Sequence, residues 1–77
     1  MNVNEMFTTT GAAQHYSIQG YPLKGWQIRR AYEKGLIAEP NLRMGRYRII
    51  SSADFPALEK ALAQLGYLPA NLHAAAA

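Results

Sequence analysis

Phe55, Leu58, Leu62 and Leu65 recur at spacings of three, four and three residues, which on a helix lays four large apolar side chains along one stripe. A stripe of that kind has to be covered. In a chain of 77 residues without a single cysteine, disulfides cannot help, and a core of this size contributes only roughly 3–5 kcal/mol. Stability must therefore lean on compact helix packing, a partner or self-association. Ser51-Ser52-Ala53-Asp54 supplies a cap-like start for this helix, Pro56 is tolerable in its first turn, and Gly66 with Pro69 closes it. The expected division is an N-terminal arm over 1–7, one domain over 8–68 and a flexible, alanine-rich tail over 69–77.

Two shorter helical signals precede the stripe. Thr9-Thr10-Gly11-Ala12-Ala13-Gln14-His15-Tyr16 offers a threonine cap, for which Thr9 is preferred, and runs to about Ser17–Gln19 before Gly20. Gly20-Tyr21-Pro22 reads as a turn, after which a second helix ends before Gly35, with Lys34 in its last turn. On that helix Ile28, Ala31 and Tyr32 gather on one side, Trp26, Gln27, Arg30, Glu33 and Lys34 point away, and Arg29 lies on the flank. Next come Leu36-Ile37-Ala38, a turn-forming stretch Glu39 to Gly45, and the run Arg46-Tyr47-Arg48-Ile49-Ile50, which together read as a hairpin. Alternation sends Arg46 and Arg48 to a wet face, and Tyr47 and Ile49 to a packed one. Tyr32 and Tyr47 are thus both expected to project toward the core.

The charge is unevenly placed. Lys24, Arg29, Arg30, Lys34, Arg43, Arg46 and Arg48, seven of the eight basic residues, share one 25-residue window with only Glu33 and Glu39; the window carries +5 and each flank −1. A basic face built from one segment implies an anionic partner. Two short helices, the second of them basic, then an arginine-bearing hairpin and a packing helix make a fold class mainly α with a small β-hairpin. The order is that of a winged helix-turn-helix, and its natural partner is double-stranded DNA. A helix fits the major groove, while a hairpin touches the backbone or enters the adjacent minor groove.

Thr9-Thr10-Gly11-Ala12-Ala13, then Trp26-Gln27-Ile28-Arg29-Arg30-Ala31-Tyr32-Glu33-Lys34-Gly35-Leu36-Ile37, then Gly45-Arg46-Tyr47-Arg48-Ile49-Ile50 resemble the small DNA-binding domains of MerR-type regulators and phage excisionases. The resemblance covers roughly 7–68. It implies that Gln27 to Arg30 begin a major-groove helix and that Arg46 and Arg48 lie on the wing beside the phosphate backbone. The family usually carries an acid where Ala12 stands, and the stretch Ser17 to Gly25 is longer than its usual tight turn. By this resemblance the chain would be an excisionase-like architectural factor or a small transcriptional regulator, phage- or bacterium-encoded. A recombinase or integrase, or further copies bound cooperatively, would be its protein partners.

The DNA-binding candidates are Lys24, Trp26, Gln27, Arg29, Arg30, Lys34, Arg43, Arg46 and Arg48. All but Lys24 also have a plainer reading. Arg29 and Arg30 would solubilise a helix face, Trp26 would pack against the lengthened turn, Gln27 would be an ordinary surface amide, and Lys34 would answer the helix dipole. Arg43, Arg46 and Arg48 would protect a hairpin edge from pairing with other chains. The scattered tyrosines read as structural, His15 as a surface or satisfied histidine, and Ser51 and Ser52 as caps. The alternative function is a protein-interaction module, a phage adaptor or antitoxin-like subunit, that sets the same basic face on an acidic partner. An enzyme is not expected, because paired carboxylates, a phosphate-cradling glycine loop and a nucleophile with its base are all missing. His15 and His73 are too isolated for a metal, and no cofactor or small-molecule ligand is implied. With neither a signal-like start nor a stretch of roughly 20 apolar residues, the chain is expected in the cytoplasm, at the nucleoid when bound.

Overall fold

The computed structural model describes residues 5–69; the first part of the expected arm and the alanine-rich stretch over 70–77 lie outside the described residues. The elements are β1 (Met6–Phe7), α1 (Thr9–Ile18), α2 (Gly25–Glu33), β2 (Leu42–Met44), β3 (Tyr47–Ser51) and α3 (Phe55–Gln64), with one 3-10 turn at Ser52–Asp54 leading into α3. Three helices thus stand with a three-stranded antiparallel sheet of order β1-β3-β2. β1 is absent from the sequence expectation. Met6 pairs with Ser51 and Phe7 with Ile50, and Ser52 is tied to Glu5 by two hydrogen bonds, so the end of the expected arm is part of the sheet.

The chain leaves β1 extended, and the cap of α1 falls on Thr8 rather than Thr9: Thr8 Oγ1 accepts from the Gly11 amide at 3.0 Å. The cap belongs where the extended backbone ends. α1 buries Ala12, Ala13 and Tyr16, and α2 buries Ile28, Ala31 and Tyr32. The two helices come very close at the start of α2. A Cβ on Gly25 would stand 2.9 Å from Thr10 Oγ1 and 3.3 Å from Thr10 backbone atoms, so the glycine's cost in helix propensity is offset by an approach no other residue allows. The long link between them is held rather than loose. Ser17 Oγ donates to the Ala13 carbonyl at 3.0 Å and accepts from the Leu23 amide at 3.2 Å, and Leu23 itself is buried.

The expected stripe closes the core from the other side. Leu58 and Leu62 are fully buried with Ala61, and Phe55 and Leu65 pack against them. Ser51 and Asp54 start this helix as expected, Ser51 Oγ accepting from the Ala53 amide and Asp54 Oδ2 from the Ser51 amide. Ile50 is the fully buried contribution of the sheet. His15 sits half-buried against Phe7, Tyr16 and Phe55, with ring centroids 5.3–5.5 Å away, and the Tyr16 hydroxyl donates to the Glu59 carboxylate.

The hairpin exists, but with a different outgoing strand. Leu36-Ile37-Ala38 is irregular, and β2 is formed by Leu42–Met44, inside the stretch expected to be the turn. Met44 pairs with Tyr47 and Leu42 with Ile49, which leaves a two-residue loop, Gly45-Arg46. Gly45 has φ +62°, the positive angle that such tight hairpin loops demand at their first position. The single left-handed residue therefore pulls the returning strand much closer in sequence than a search for apolar runs suggests.

Candidate nucleic-acid interface

The outward face of α2 follows from its periodicity. With Ile28, Ala31 and Tyr32 turned into the core, Trp26, Arg29, Arg30 and Glu33 remain exposed, and Lys34 is exposed at the C-cap. Among the described residues no ion pair within 4.0 Å engages Arg29, Arg30, Lys24 or Lys34. Gln27 is half-buried and already employed: its Oε1 accepts from the Lys24 amide at 2.9 Å, satisfying a donor just ahead of the helix. That bond folds the amide back toward the start of α2 and uses one of the two lone pairs its oxygen could offer a base. Trp26 is 47% exposed and meets Tyr67 edge to face, with centroids 5.9 Å apart and planes at 77°. This contact sets it on the turn after α3.

In the hairpin the expected faces are reversed. Ile50 is fully buried, and alternation carries Arg48 to the same inner side. The Arg48 side chain is only 16% exposed. Its guanidinium lies 5.2 Å from the centre of the Tyr32 ring, and it grips Glu39 with two bonds, Nε to Oε1 at 2.7 Å and Nη2 to Oε2 at 3.1 Å. Tyr47, expected inside, is 59% exposed. Ile49 and Ile50 are consecutive isoleucines, so the apolar pattern fits either parity; packing against the helices selects Ile50. Arg46 and Arg48 are thus not neighbours on one wet face. Arg46 stands exposed in the turn, whereas Arg48 links the sheet to α2.

Glu39 is the residue that sequence reading overlooked. Besides Arg48 it accepts from Arg43 Nη2 at 3.2 Å. Hydrogen bonding from Arg48 is the main reason its carboxyl titrates below the ordinary range, and the same bond raises the Arg48 pKa further. The bidentate guanidinium–carboxylate pair has the geometry that an arginine would offer a phosphate. In effect, one carboxylate occupies two of the candidate phosphate contacts. The four-residue spacing of Glu39 and Arg43 is visible in the sequence, but the bond to Arg48 depends on the fold of the hairpin. Tyr32 completes the junction. Its hydroxyl is buried without a hydrogen-bond partner among the described residues, and burial, helped by the Asp54 carboxylate, pushes its pKa up to about 12.

Of the seven candidate cations, those left open to an anionic partner are therefore Lys24, Arg29, Arg30 and Lys34 on and around α2, together with Arg46 at the hairpin tip. Beside Arg46 lies an unforeseen apolar surface: Leu42 is 51% exposed, Met44 68% and Tyr47 59%. Among the described residues no helix is long and apolar enough to cross a membrane, and no three His, Asp or Glu side chains cluster as metal ligands would. Comparison of the chain with protein-family models, curated proteins and solved structures found no match.

Proposed function

We propose that this protein binds double-stranded DNA as a winged helix-turn-helix, with α2 in the major groove and the β2–β3 hairpin as the wing on the adjacent backbone or minor groove. The observation that carries the reading is the outward face of α2, where Arg29 and Arg30 stand exposed and, among the described residues, clear of any carboxylate within 4.0 Å. Cations held on a rigid helix release condensed counterions when they meet phosphates, and that release is the main sequence-independent source of affinity. α1 braces α2 through the close approach at Gly25, and Arg48 on the Tyr32 ring fixes the hairpin beside the same helix. The two reading elements are thereby coupled. With Arg43 and Arg48 committed to Glu39, the phosphate contacts fall to Lys24, Arg29, Arg30, Lys34 and Arg46. As for biological role, an excisionase-like architectural factor or a small transcriptional regulator fits a domain with a single helical reading face. Specificity would then come from additional copies on repeated sites or from a recombinase partner.

The test is a titration of labelled protein with duplex DNA, following backbone amide shifts while varying salt. Four to five neutralised phosphates give a slope of log K against log salt of roughly −4, with the largest shift changes along Gln27–Arg30 and at Arg46. Shifts confined to other surfaces, or none at low salt, would transfer the basic face to an acidic protein partner.

A further inference from the structure

The hairpin tip holds an arrangement that a purely electrostatic wing does not need. Met44 and Tyr47 face one another across the two-residue loop Gly45-Arg46, both more exposed than buried at 68% and 59%. Leu42 and Ile49 form the next pair on the same side. The outer side of this ribbon is thus apolar, while its arginines at 43 and 48 turn toward Glu39. Leaving large apolar side chains in water at the hairpin tip is unfavourable, and among the described residues nothing covers them.

We infer that this tip is an apolar wedge that enters the minor groove of duplex DNA and opens a base step, Met44 inserting and Tyr47 lying against the sugars. The inference rests on the DNA-binding reading and adds a distortion of the DNA to it. Three observations select this occupant. Arg46, at the apex, matches the negative potential of the minor groove, especially where it is narrow. A two-residue loop is slim enough for a groove about 6 Å wide that excludes a helix or a whole ribbon. Methionine is among the side chains that proteins insert between base pairs, at a cost in stacking that pyrimidine–purine steps reduce. A second copy is the weaker occupant. Joining two identical tips about a twofold axis would bring Arg46 against its own counterpart with no carboxylate at the tip to separate them.

The experiment uses two end-labelled duplexes of one sequence, one continuous and one with an unpaired bulge at its centre that makes kinking easy. Binding is read by anisotropy and bending by energy transfer between the ends. The full chain is expected to prefer the bulged duplex by roughly tenfold and to bring its ends closer, because the stacking cost is already met. The double variant Met44→Ala with Tyr47→Ala, both changes on exposed side chains and checked by circular dichroism, is expected to lose that preference and the bend while still binding continuous DNA through Arg29 and Arg30. Met44→Gln, which keeps the length of the side chain but makes it polar, is expected to behave in the same way. Equal binding of both duplexes by the unaltered chain overturns the wedge and leaves the DNA reading intact, as does a double variant that keeps the preference. No binding to either duplex overturns the DNA reading itself. If the DNA-free protein sediments as a dimer and the double variant as a monomer, the tip is a contact between copies and the wedge is wrong.

Discussion

α2 and the β2–β3 hairpin each carry arginines, yet they place them in opposite ways. On α2 the apolar side is closed into the core, and Arg29 and Arg30 are left facing water. On the hairpin Arg48 is drawn inward beneath Glu39 and over Tyr32, while Met44 and Tyr47 are left outside. Helical periodicity ties each residue to a face through several apolar neighbours, whereas a five-residue strand has only two possible parities and little to choose between them. The helix thus presents its charge to solvent. The hairpin uses most of its charge to hold itself in place.

Substitutions that test which side is inside should have the largest effects. Ile50→Ala and Ile28→Ala each remove a fully buried side chain and are expected to lower stability by about 2–4 kcal/mol in denaturant melts. Were Tyr47 the inward residue instead, Tyr47→Ala would cost as much and Ile50→Ala almost nothing, reversing the assignment. Next in size is the effect on DNA. Replacing Arg29 and Arg30 together by alanine should weaken binding to every duplex by roughly tenfold to a hundredfold and make the salt slope shallower by about two. Arg48→Ala should leave that slope nearly unchanged. A slope that drops by about one with Arg48→Ala would mean that Arg48 leaves Glu39 when DNA arrives.

The Glu39 clamp makes a smaller, pH-dependent contribution. Its carboxyl has a folded pKa below the ordinary value, chiefly through the Arg48 hydrogen bond. The stabilisation is therefore fully present above the unfolded value of about 4.5 and disappears as pH falls through the folded one. Amide exchange in β2 and β3 should speed up selectively in that acidic interval, and Glu39→Gln should remove the pH step; an unchanged step in the variant would assign it to another carboxylate. The smallest effect is expected for Tyr47→Ser, within about 0.5 kcal/mol in the same melts, as for other exposed side chains free of special contacts.

Much of the helical framework could be read from residue spacing. Phe55, Leu58, Leu62 and Leu65 define α3, Ser51 and Asp54 define its start, and Ile28, Ala31 and Tyr32 define the buried side of α2. The candidate site was legible to the extent that it lies on that helix. β1 was not, because two residues carry no periodicity and gain their strand geometry only by pairing with Ser51 and Ile50. The place of β2 was also hidden, since the apolar triplet Leu36-Ile37-Ala38 is a more conspicuous strand candidate than Leu42-Arg43-Met44. In the sequence Glu39 is only one of two acids in the basic window, at the start of the turn-forming stretch. Its role depends on two arginines, four and nine residues further on, that the hairpin turns back toward it.

Sequence alone determined that this chain builds a small helical core with its positive charge concentrated in one segment, because helix stripes, caps and charge runs are properties of neighbouring residues. Only the tertiary structure decided which of those charges remain open to a partner. A strand's facing, a cross-strand ion pair and an arginine over a ring arise from elements that meet in space, where burial of Ile50 outweighs the preference of Arg48 for water and Glu39 makes the exchange tolerable.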